Sequence, residues 1–260
     1  MPLLTTTDTP IYYETKGEGP AIIFAHGAGG NAAIWFNQIA YFSDRYQVIS
    51  FDHRSFGRSP VPAETITVEH FRDDLLALLD TLNIEAAHVV GQSMGGFTVL
   101  RTALDAPDRI LSLTLSATSG GIINPRPSGA LKNLTSGGDT DTQGVKATMS
   151  GATKANPPLM QLYESINNFN IHFSWGSLAN MLGPDSVVQL AQLNELKAPT
   201  LIIAGDEDPL FPADLLASFI PHFFDGRIEV VENSGHSPYF EQPDTFNSLL
   251  EAHVEAVSGR

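Results

Sequence analysis

The chain contains no cysteine, which excludes disulfides, thiolate metal sites and a cysteine nucleophile. The redox compartment stays open, because a cysteine-free chain tolerates either state. Cations are scarce as well. Fourteen Lys and Arg stand against 29 Asp and Glu, a formal net charge of -15. Such a surface repels phosphate backbones and anionic headgroups, so neither nucleic acid nor a membrane is expected as partner. No apolar run approaches the ~18 residues of a spanning helix. Residues Met1 to Asp8 lack a basic region followed by an apolar stretch, so no leader is expected and the default location is cytoplasmic.

What is present is the composition of a folded chain: 260 residues, 42% hydrophobic and 17% charged. Short apolar runs recur at Ile11–Tyr13, Ala21–Ala25, Gln47–Phe51, His88–Val90, Leu113–Leu115, Leu201–Ala204 and Ile228–Val231. Continuous runs of this kind suit strands covered on both faces, hence a mostly parallel sheet. Between them, Phe71, Leu75, Leu78, Leu79 and Leu82 fall at helical spacing behind Thr67, an N-cap residue type. Alternating strands and helices predict a doubly wound α/β architecture. From 120 to 193 the strand pattern stops. Pro125, Pro127, Gly137–Gly138 and Pro157–Pro158 punctuate short amphipathic pieces there. The expected organisation is an α/β core of 1–119 and 194–260 carrying a helical insertion of 120–193.

Gly91-Gln92-Ser93-Met94-Gly95 fits G-x-S-x-G between the strand at Val89–Val90 and a helical stretch at Phe97–Leu100. A strand-to-helix turn this tight strains the serine and tolerates only small flanking residues. It lifts the hydroxyl clear of the sheet, beside a helix N-terminus. A serine hydroxyl becomes a nucleophile near neutral pH only with a base, and the base needs an orienting carboxylate. The chain order that accompanies this turn is serine, acid, histidine. Gly205-Asp206-Glu207-Asp208 follows one strand, and Ser234-Gly235-His236 follows the last. Chemistry gathers at the carboxyl ends of strands in such sheets. Ser93 as nucleophile, Asp208 as acid and His236 as base are therefore the expected set. Asp206 competes for the acid role, but its expected task is hydrogen-bonding in the turn. Of the other histidines, His53, His70, His172, His222 and His253 are expected to be solvated, His88 starts a strand, and His26 precedes the serine.

Together these residues resemble the α/β-hydrolase fold family over nearly the whole chain outside the insertion. His26-Gly27-Ala28-Gly29-Gly30 resembles its H-G-x oxyanion loop. Asp52 to Ser59 resembles its D-x-R-G-x-G-x-S loop, with Ser55 where glycine is usual. Gly205–Asp208 and Gly235–His236 resemble its acid and histidine turns. The resemblance implies that the backbone N–H groups of Ala28 and Met94 form an oxyanion hole, that the insertion is a cap roofing the site, and that neither a metal nor an organic cofactor is used. It further implies acyl transfer on a small-molecule ester or lactone. The family's C–C bond hydrolases of ring-cleavage products share these features and stand as the alternative. Their substrates are anionic, whereas cations between 120 and 193 are few: Arg126, Lys132, Lys146 and Lys154. Trp35, Phe169, Phe173 and Trp175 are candidate substrate-binding residues. Two readings come from other classes. A hydrolase-like small-molecule sensor would keep the same residues. A nucleotide-dependent oxidoreductase would use Gly27 to Ala32 as a G-x-G-x-x-A turn and Asp52 as its ribose carboxylate.

Overall fold

A computed structural model describes residues 3–6, 9–62, 65–123, 146–181 and 183–259. Among them, eight strands form one sheet: β1 (Leu3–Thr6), β2 (Thr9–Lys16), β3 (Ala21–Ala25), β4 (Gln47–Phe51), β5 (Ala87–Gln92), β6 (Ile110–Ser116), β7 (Thr200–Gly205) and β8 (Gly226–Val231). Their order is β1-β2-β4-β3-β5-β6-β7-β8. β2 lies antiparallel to β1 and β4, and the remaining neighbours are parallel. The fold is thus the α/β architecture expected, with an antiparallel edge. The helices are α1 (Phe36–Phe42), α2 (Val68–Thr81), α3 (Met94–Asp105), α4 (Gly151–Lys154), α5 (Pro157–Asn167), α6 (Leu190–Leu193), α7 (Ala213–Ala217), α8 (Pro238–Glu241) and α9 (Pro243–Ser258).

The apolar spacing read from sequence does its work on α2. Phe71, Leu75, Leu78 and Leu79 are fully buried, and Thr67 caps the helix by accepting from the His70 N–H. Residues of α2 and α3 share one core cluster with alternate positions of the strands. The opposite face of the sheet is covered by α1, α8 and α9, with Phe42, Tyr239, Phe240, Phe246 and Leu250 packed on Ile22, Phe24 and Leu201. The chain visits β4 on one side of β3 and then β5 on the other. Loops leaving the carboxyl ends of β3 and β5 therefore part there, opening the crevice in which such sheets hold ligands.

The long β6–β7 connection includes α4, α5 and α6. Its two ends are joined by a parallel bridge between Ile122 and Val188, and both of these residues and Leu193 pack in the main core. The turn residues Pro125, Pro127, Gly137 and Gly138, and the cations Arg126 and Lys132, lie outside the described residues.

Candidate active site

Ser93 sits between β5 and α3 with φ 49 and ψ -114, the strained turn expected of it. A Cβ on Gly91 would stand 2.6 Å from the Gly95 carbonyl carbon, and one on Gly95 would stand 2.6 Å from that of Ala25. Both positions require glycine because backbone passes against backbone. The Ser93 N–H donates to the Ser116 carbonyl at 3.0 Å, and its carbonyl accepts from Thr118 Oγ1 at 2.7 Å, so β6 and the loop after it fix the turn.

His236 Nε2 lies 2.9 Å from Ser93 Oγ, and His236 Nδ1 lies 2.9 Å from Asp208 Oδ2. The carboxylate can only accept, so Nδ1 carries the proton and Nε2 is free to accept from the serine. Asp208 Oδ1 accepts from the N–H groups of Leu210 at 2.8 Å and Phe211 at 3.2 Å, which leaves Oδ2 for the histidine. The Phe211 ring stacks beside the imidazole, with centroids 5.8 Å apart. Asp206 faces elsewhere: its Oδ1 accepts from the Ser234 N–H at 3.0 Å, joining the acid loop to the histidine loop. It braces the neighbouring loop and not its own turn.

The loop after β3 packs on the serine, and the loop after β4 packs on the loop after β3. The N–H groups of Ala28 and Met94 make no hydrogen bond among the described residues. Gly27 packs so closely that a Cβ there would touch the Ser93 Cβ at 3.0 Å. Burial pushes His26 down to about 4, so the ring is neutral at pH 7. Its Nδ1–H donates to the Gly27 carbonyl at 2.8 Å, and its Nε2 accepts from the His53 N–H at 3.0 Å. His26 is a brace between loops. Asp52 is fully buried; it accepts from the Ala32 N–H at 2.6 Å and the Arg58 N–H at 2.7 Å. With both oxygens engaged inside the protein, Asp52 is closed to a ribose, and the oxidoreductase reading loses its carboxylate. Ser55 adopts φ 66, a conformation that favours glycine. It is held by its N–H to the Ser59 carbonyl at 2.9 Å and by its hydroxyl to the Val61 carbonyl.

The aromatic candidates divide. Trp35 is wholly buried against Phe24 and Tyr239, with ring centroids at 4.9 and 4.3 Å. It is core and does not line a pocket, because the 3₁₀ turn it ends packs on α8. Phe169 is 66% exposed and points to solvent, so it too leaves the set. Trp175 lies over the oxyanion-type loop, 3.5 Å from where a Gly29 Cβ would be, and packs edge-on against Phe173 at 5.3 Å. Phe173 stacks on Phe56 at 4.2 Å. Among the histidines, His53 and His253 are buried where solvation was expected.

Several residues at the site escaped the sequence reading. Gln92 donates to the His236 carbonyl at 2.9 Å. From the insertion, Asn170 donates to the Gly29 carbonyl and accepts from the Gly57 N–H at 2.8 Å, while Asn31 donates to the Ile166 carbonyl at 2.8 Å. Amides that join separate loops leave no periodic trace in a sequence. Gln92 and Asn31 stood inside motifs, each at a variable position.

A family model described as alpha/beta hydrolase fold matches residues 20–152. The 3-oxoadipate enol-lactonase 2 of Acinetobacter baylyi is 31% identical, over 96% of this chain and 94% of that enzyme. The 2-hydroxy-6-oxo-6-phenylhexa-2,4-dienoate hydrolase of Comamonas testosteroni is 30% identical, over 94% of this chain and 90% of that enzyme. A thermophilic esterase from Thermogutta terrifontis shares the fold, with a TM-score of 0.85 at 24% identity over 97% of this chain and 96% of its own. With its sheet order, its strained serine and these relatives, the chain belongs to the α/β-hydrolase fold family.

Proposed function

We propose that the protein is a serine hydrolase that cleaves a small-molecule carboxylic ester or lactone through an acyl-enzyme. The observation that carries this reading is the continuous Ser93–His236–Asp208 relay, with both contacts at 2.9 Å. His236 takes the Ser93 proton as Oγ attacks the acyl carbon, then returns it to the leaving oxygen. Water, deprotonated by His236, attacks the acyl-enzyme and releases the acid. Charge that builds on the carbonyl oxygen is met by the N–H groups of Ala28 and Met94, each donor lowering the barrier by ~3 kcal/mol. The described part of the insertion acts as the cap, with Trp175 and Phe173 as its apolar wall over the oxyanion loop.

Electrostatics favours neutral substrates. Of the two described cations of the insertion, Lys146 is paired with Glu164 at 2.6 Å, and Lys154 is exposed with its Nζ 3.5 Å from the Ala147 carbonyl. The net charge of -15 disfavours anions at long range. The Comamonas relative supports a second reading, cleavage of a C–C bond by the same relay. A matched series of neutral and carboxylate-bearing esters and lactones, with one ring-cleavage product, separates the two. Higher kcat/KM for the neutral members at both low and high salt is expected. Preference for the ring-cleavage product at both would replace ester hydrolysis with C–C hydrolysis. Binding without turnover of any member would make the protein a sensor.

A further inference from the structure

Around His236 every backbone N–H from Gly235 to Ser237 is engaged, and one carboxylate takes two of the three. Glu241, in the last turn of α8, accepts from the Gly235 N–H at 2.9 Å and the Ser237 N–H at 3.1 Å through Oε1. Its Oε2 accepts from the Ser150 N–H at 2.7 Å, just ahead of α4. The His236 N–H itself donates to the Thr148 carbonyl at 2.9 Å, from the same stretch of the insertion. Gly235 is pressed so closely onto that stretch that a Cβ would stand 2.7 Å from the Met149 carbonyl carbon.

Glu241 is only 7% exposed, and no cation pairs with it among the described residues. Burying a carboxylate without a counter-ion is costly unless hydrogen bonds to it are good ones. A capping role for α8 would need only the Ser237 N–H. The Gly235 and Ser150 contacts lie outside that helix, and they are what joins the histidine turn to the insertion. We infer that Glu241 is a positioning residue: it holds the His236 turn in register with Ser93 and locks that turn to the insertion's first described helix. This rests on the reading of His236 as the base.

The test uses the full-length enzyme and 4-nitrophenyl acetate. In Glu241→Gln one carboxylate oxygen becomes an NH₂ group, which must face a backbone donor, so either the turn or the insertion contact is lost. Misplacement of a reacting group by about 1 Å costs on the order of 100-fold, so kcat should fall roughly 10- to 100-fold with KM changed less than about threefold. Fluorophosphonate labelling of Ser93 should slow in the same proportion. The far-downfield Nδ1–H proton resonance of His236 should broaden or vanish, a change that lost stability alone would not produce in a folded sample. A folded variant with wild-type kcat, or a loss confined to KM, would overturn the inference. Should Glu241→Gln fail to fold, Glu241→Asp serves: it keeps the charge and shortens the reach, and wild-type kcat there would overturn the inference equally. His236→Ala is the control. If it turns over at the wild-type rate, the relay itself is wrong. If it is inactive beside a wild-type-like Glu241→Gln, only the positioning role is wrong.

Discussion

Asp206 and Asp208 stand two residues apart at the end of β7, yet their oxygens face different partners: the Ser234 N–H and the His236 ring. Asp208→Asn keeps the size but can donate where it must accept, which favours the wrong imidazole tautomer. The serine-protease precedent is a loss of ~10⁴ in turnover. Asp206→Asn keeps a carbonyl oxygen that still accepts from Ser234, and its kcat should stay within roughly tenfold of wild type, since the contact it serves is one ordinary hydrogen bond. Steady-state kinetics of the two variants on one ester checks the ranking, and the reverse order would move the acid role to Asp206. The convergence of Ser93, Asp208 and His236 was legible in the sequence because a strained turn and strand-end loops carry local signatures. Trp35 and Phe169 were not, since an aromatic residue reads the same whether it packs in a core, lines a pocket or faces water. The buried state of His53 and His253 was hidden for a similar reason: their partners, Thr98 of α3 and the Leu113 carbonyl of β6, are distant in sequence.

Elements tell the same story through their connections. The apolar runs marked seven of the eight strands, whereas β1, with Leu3 and Leu4 followed by two threonines, lacked enough apolar pattern to be seen. The insertion was recognisable as a break in rhythm, but part of its attachment to the core is made by single side chains. Asn170 is the clearest, spanning the Gly29 carbonyl and the Gly57 N–H. Asn170→Ala should lower kcat/KM for a short neutral ester by roughly tenfold, because the loop bearing Ala28 loses its outer support. Asn170→Asp should be worse, since it sets an acceptor against the Gly29 carbonyl while keeping the Gly57 contact. Equal activity of the two variants and wild type would show that the loop holds its shape unaided.

For the molecule as a whole, acid is the expected weakness. Burial lowers His26, His88 and His253 to about 4 from an ordinary 6.5. Each is neutral when folded and takes up a proton on unfolding below pH 6.5. Their contribution is thus complete above about 6.5 and is lost as pH falls toward 4, at ~1.4 kcal/mol per pH unit for each fully buried group. Relief of repulsion among surface carboxylates acts in the opposite direction and is screened at 0.15 M salt. Thermal melts at that salt should show Tm falling steadily from pH 7 to pH 5, and a flat or rising Tm would contradict the neutral, buried state of these rings. The proposed reaction passes through a covalent bond at one oxygen, Ser93 Oγ. Intact-mass and peptide mass spectrometry after fluorophosphonate treatment measures it directly. Wild type should gain a single adduct on the peptide containing Ser93, and Ser93→Ala should gain none. Equal labelling of the two proteins, or an adduct at another residue, would contradict the assignment of Ser93 as the nucleophile.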